Sequence, residues 1–148
     1  MVKSLIEAIG IAEQALPEKT LRHSIRVMQI AKQMSEDRTY SDTFKIRLFI
    51  SAILHDVLGE SSLTIKDLPS WYADKSLFGD VSIAGTLRLL TYDKSKMNHN
   101  DYIDRIVSSG DLAALTIKAA DIKDHLEQTE LTPEIIEEYF PHITKFIF

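Results

Sequence analysis

Two histidines and two aspartates, widely separated along the chain, have the residue types to hold a cation together. His55 and Asp56 stand side by side at the end of the apolar run LFISAIL; His23 lies far upstream and Asp121 far downstream, in KAADIKDH. Two imidazoles and two carboxylates offset the charge of a divalent ion, and this mixed nitrogen and oxygen set suits manganese, iron, zinc or magnesium. Four protein ligands on an ion that accepts more leave room for water and a phosphate oxygen. A metal so placed polarises the phosphate and lowers the pKa of its water, which is phosphohydrolase chemistry. Cysteine is absent, so thiolate ligands and disulfides are excluded.

Taken singly, each residue also has a plainer reading. His23 sits in an apolar stripe with Val27, Ile30 and Met34, where a buried histidine bonded to a backbone carbonyl would serve as well. Asp121 stands in the series Ala114, Ile117, Asp121, and a buried carboxylate there must be paired or must ligate. An ion pair with Lys118 or Lys123 would satisfy it, and only the Lys118 spacing faces it well. His55 follows Leu48 and Ala52 on an inward face, whereas Asp56 continues the Phe49 and Ile53 face. Adjacent helical residues diverge by about 100°. Near a helix end the two can still grip one ion from different sides.

Positioning these groups is work for helices. The first is expected over Val2–Ala15, stopping before Pro17 because the residue preceding a proline disfavours helical geometry. The second runs from Glu18 to Ser35. Ser41 caps a third that reaches Leu58, with Gly59 ending it. Thr64 and Asp67 form a capping box for a short fourth, ending near Pro69 or Trp71. The fifth spans Leu77–Leu90, and the sixth is capped by Asn98 and ends near Val107. The seventh spans Asp111–Glu127, and the eighth opens at Thr132-Pro133. The apolar tail Ile143–Phe148 packs back on the domain, with a dimer contact as the competing reading. No Asn-Gly or Asp-Gly hairpin signal occurs. The expectation is an all-α, single-domain bundle of about eight helices over residues 1–148.

Composition narrows the partners. With 17 basic and 22 acidic residues the net charge is −5, which argues against nucleic-acid binding. A small phosphorylated ligand remains compatible, because a metal and a few lysines suffice. No apolar stretch reaches membrane-span length, the amino terminus lacks a signal-peptide core, and a cytoplasmic location is expected. Trp71 and Tyr72 read as core packing or a surface cluster, with a pocket wall or base-stacking pair as the alternative; His99 in KMNHND reads as a solvated loop residue, and His142 as having no chemical role.

The four residues, in this order and spacing, resemble the signature of HD-domain phosphohydrolases: a histidine, then histidine-aspartate, then a distant aspartate. ISAILHDVLGESSLT, FGDVSIAGTLRLLT, DYIDRI and DLAALTIKAADIKDHL are similar to segments of the alarmone-hydrolase branch, the hydrolase half of RelA/SpoT-type proteins. The similarity spans roughly His23 to Leu126. It implies manganese held by His23, His55, Asp56 and Asp121, and removal of the 3′-pyrophosphate from guanosine tetra- and pentaphosphate. It also implies that Lys118 and Tyr102 lie near the nucleotide. The branch has glutamate then aspartate three and four residues after the HD aspartate, to activate water; here Gly59 and Glu60 stand there. Glu60 is the candidate general base, with a solvated loop acid as the alternative. His125 replaces the branch's asparagine and is a candidate substrate contact, with a surface histidine as the alternative. The branch's upstream basic pair is missing, leaving Lys19, Arg22 and Arg26 as the basic candidates nearby. These departures point to three functional readings. They are an alarmone pyrophosphohydrolase, another HD nucleotidase, and a module that binds nucleotide without turnover; a structural helical domain with no metal is the fourth reading of the chain.

Overall fold

The computed structural model describes residues 2–75, 81–130 and 132–146, and it is all-α. Two helices, α1 (Val2–Ala15) and α2 (Glu18–Ser35), meet at Pro17, whose extended ψ of 154° forces the chain to turn. Ser41 starts α3 (Asp42–Leu54), its side chain accepting the Phe44 N–H at 3.2 Å. A single turn, α4 (Val57–Glu60), follows. Two 3₁₀ turns, Ile65–Asp67 and Ser70–Ala73, take the place of the expected fourth helix, although its Thr64–Asp67 capping box is present. Then come α5 (Ile83–Leu90), α6 (His99–Ser108), α7 (Leu112–Gln128) and α8 (Pro133–Ile143).

Helix α3 is the axis of the bundle. From Arg47 to Leu54 only Phe49 escapes full burial, as expected of a helix covered all round. Leu48 and Ala52 join Val27 and Ala31 of α2 and Ala113, Ala114, Ile117 and Ala120 of α7 in one core cluster. Ile50, Ile53 and Leu54 face the other way, against Ala8 and Ala12 of α1, with Val57, Tyr72 and Leu87. Alanines of α7 pack in the same cluster as α3, and α7 carries Asp121 to the carboxyl end of α3, beside His55. Tyr72 lies in the core as expected. Phe146 buries in the first cluster, so the described part of the tail packs back on the domain. No described helix is long and apolar enough to cross a membrane.

A buried polar knot fixes the start of α7. Asp111 accepts the N–H groups of Ala113 and Ala114, receives the Thr86 hydroxyl at 2.6 Å and pairs with Arg47 at 3.4 Å. Arg47 also donates to the Val81 carbonyl. A carboxylate can be buried here because each oxygen is hydrogen-bonded.

Several expectations are corrected. The third helix stops at Leu54, not Leu58, because the His55 side chain competes for a helical carbonyl: Nδ1 lies 2.7 Å from the Ala52 oxygen. Asp56 then adopts φ −97° and ψ −7°, and the chain restarts as α4. Gly59 is inside that turn and has no positive φ; among the described residues Gly110 alone does, at 73°, where it terminates α6. Met34 lies off the buried stripe and is exposed. Helix α5 is described from Ile83, capped by Ser82, and residues 77–80 of the expected helix lie outside the described residues.

Candidate metal centre

The break after Leu54 is what assembles the site. It turns Asp56 back over His55, with Oδ2 3.2 Å from His55 Nε2, instead of 100° away round a continuous helix. From α2, His23 presents Nε2 to Asp121 Oδ1 at 2.8 Å and to Asp56 Oδ2 at 3.6 Å. His55 Nε2 is 3.8 Å from the same Asp121 oxygen. The two histidine rings stand edge to face, centroids 5.3 Å apart. Three helical stretches thus bring all four sequence candidates into one cluster.

Three of the four ligand candidates have an outer atom tied down. His23 Nδ1 meets Asp124 Oδ2 at 2.6 Å, and Arg26 clasps Asp124 through Nε at 2.8 Å and Nη2 at 3.2 Å. His55 Nδ1 is spent on the Ala52 carbonyl. Lys118 Nζ holds Asp121 Oδ2 at 2.8 Å. Outer partners of this kind set the tautomer and orientation of metal-ligating imidazoles and carboxylates. The inner atoms converge, and His55 Nε2 is buried without a hydrogen bond. Two imidazole nitrogens and two carboxylate oxygens facing one another fit a divalent cation.

Electrostatics agree. Burial works against charge on His23, yet Asp121, Asp124 and Asp56 outweigh it and push its pKa up to about 9. His55 is likewise raised against burial, by Asp121 and Asp56. Burial would raise Asp121, but Lys118 and then the surrounding histidines hold it well below the usual carboxylate range. Without a metal, a proton on His23 helps balance the acids; a divalent cation would replace it.

A cavity of about 420 Å³ opens on the cluster, lined by His55, Asp56, Asp121, Lys118, Tyr102 and Glu60 among others. Glu60 is exposed and one turn after Asp56, whose carbonyl accepts its N–H at 2.9 Å. The Tyr102 hydroxyl donates to the Leu90 carbonyl at 2.7 Å, so its ring is what the cavity meets, with Lys118 Nζ 5.3 Å from the ring centre. His125 lies at the rim. Lys19 and Arg22 are exposed, lie outside the lining, and Arg22 pairs with Glu18. His99 is not in a loop: it opens α6, lines the cavity and packs against Tyr92 and Tyr102. His142 is buried beside His99, ring centres 4.9 Å apart.

Asp124 and Arg26 are the contributors that sequence reasoning overlooked as a pair. The signal was available: Arg26 is three residues after His23 and Asp124 three after Asp121, so each shares a face with a ligand candidate.

Converging imidazoles and carboxylates on packed helices could hold a divalent metal ion, and the comparisons with known proteins are consistent with that. The HD domain family model matches residues 20–66, the span that carries His23 and the His55–Asp56 pair. That stretch of the chain is similar to an HD domain. The fold of the chain is similar to a solved structure described as a metazoan ortholog of SpoT that hydrolyses ppGpp and plays a role in starvation responses. That likeness has a TM-score of 0.67 and 22% identity, and covers 97% of this chain and 83% of that one. No curated protein matches the chain.

Proposed function

We propose that this protein is a metal-dependent phosphohydrolase of a phosphorylated nucleotide, with the 3′-pyrophosphate of guanosine tetra- or pentaphosphate as its substrate and manganese as its ion. The observation that carries the reading is the buried, unbonded His55 Nε2, facing Asp56 and Asp121. The HD domain match and the fold shared with a ppGpp hydrolase support the same chemistry.

His23, His55, Asp56 and Asp121 would hold the ion. When bound, it supplies Lewis acidity toward a phosphate oxygen and makes water acidic enough to lose a proton near neutral pH. Glu60, on the cavity wall beside Asp56, takes that proton. The water oxygen then bonds to phosphorus as the ester O–P bond breaks, and the departing ribose oxygen takes up a proton from solvent, releasing pyrophosphate and a free hydroxyl. Lys118, fixed by Asp121 and the Tyr102 ring, neutralises phosphate charge where little water dilutes the field.

A second reading is motivated by Gly59, which leaves one carboxylate fewer on the cavity wall. It makes the protein a nucleotide-binding module without turnover. The test is a nucleotide panel with manganese, measuring phosphate and pyrophosphate separately. Pyrophosphate released from the guanosine alarmones supports the proposal. Phosphate from monophosphates indicates a different nucleotidase, and saturable binding with no product indicates the module.

A further inference from the structure

We propose that His125 is a fifth protein ligand of the same centre, giving it three imidazoles. The inference rests on the metal reading above. The ligand atoms fall into two overlapping sets, His23 with His55 and Asp56, and His23 with Asp121 and His125; within each set they lie within 4.8 Å of one another. His125 Nε2 is 3.3 Å from Asp121 Oδ1, the oxygen that also faces both other histidines. Its ring stacks at a tilt on His23, centroids 4.8 Å apart.

Two sets sharing a histidine suggest either two ions or one. The outer contacts decide. One imidazole nitrogen binds one ion, and His23 Nδ1 is already taken by Asp124. Asp121 Oδ2 accepts from Lys118, and its Oδ1 is the oxygen turned to the three histidines. His23 has no second nitrogen to give, so the two sets cannot each hold an ion through it, and we read them as parts of one coordination sphere. His125 joins it from the cavity rim, where its side chain is half exposed. The spacing from Asp121 to His125 is one helical turn, which puts both side chains on the same face of α7.

The consequence is selectivity. Imidazole favours ions late in the first transition row, and carboxylate favours manganese and magnesium. His125 therefore raises cobalt affinity more than manganese affinity.

The test titrates the metal-free full-length protein with Mn²⁺ and with Co²⁺ by calorimetry, and records the visible spectrum of the cobalt form, for wild type and His125→Asn. Circular dichroism checks that the variant is folded. The expected result is a single site in both proteins, cobalt affinity lowered roughly tenfold or more in the variant, and altered cobalt bands. The manganese loss should be smaller. Unchanged affinities with superimposable cobalt spectra overturn the inference and leave the four-ligand centre standing. A change confined to the KM for nucleotide does the same, marking His125 as a substrate contact. Absence of metal binding in the wild type overturns both this inference and the proposed function.

Discussion

At the scale of single residues, His23 is held from both sides: Asp124 fixes Nδ1 and the site acids face Nε2. Asp124→Asn keeps the shape but removes the charge that orients the ring. Its expected effect is a loss of metal affinity of about 10–100-fold, read by calorimetry, with the helical content unchanged. His23 also gives a pH dependence. Its folded pKa of about 9 lies above the ordinary 6.5, so in metal-free protein it stabilises fully below 6.5. That contribution is lost as pH rises through about 9. Thermal unfolding in chelator should show the midpoint falling across that window. A midpoint that stays flat or climbs there would rule out the acid-held imidazolium. His99 and His142 are shifted down, chiefly by burial, and act in the opposite sense, below the window.

Among the elements, the start of α7 and the turn α4 carry the clearest consequences. Asp111→Ala removes a cap and leaves Arg47 without its buried carboxylate partner. The expected cost is about 3–5 kcal/mol in urea unfolding, the range for breaking a buried ion pair by removing one partner. Gly59 sits in helical backbone, and an added Cβ meets nothing within 4 Å. Gly59→Glu should therefore fold, gain about 0.5 kcal/mol from the lost glycine entropy, and raise turnover by supplying a second wall carboxylate. Unchanged turnover in a stabilised variant would separate the helix effect from the catalytic one. These two elements also mark what the sequence discloses. Pro17, Ser41, Asn98 and Thr132-Pro133 act locally, so α1 and α2 and the starts of α3, α6 and α8 are legible from neighbouring residues. The break at His55 is not, because it comes from a side chain competing for the Ala52 carbonyl within an unbroken apolar run. His99 was misread for a related reason. A histidine in a polar stretch looks solvated until α8 and the Tyr92 segment fold over it.

Across the whole molecule, two core clusters share α3 and meet through Met28, which touches both. We expect residues 1–148 to unfold as one cooperative unit, with helical content and tryptophan fluorescence changing together. Trp71 sits by the second cluster, so non-coincident transitions would show the two clusters unfolding separately. The four ligand candidates come from helices that pack on α3 or from its carboxyl end, so metal binding should stabilise the entire fold. At a hundredfold excess over Kd the expected gain is about 2.7 kcal/mol. The most direct examination is a crystal structure grown with manganese. It should show an ion bonded to Nε2 of His23 and His55 and to oxygens of Asp56 and Asp121, with the Asp124 and Lys118 contacts retained. A metal-replete crystal in which these four side chains bond only to one another would contradict the account.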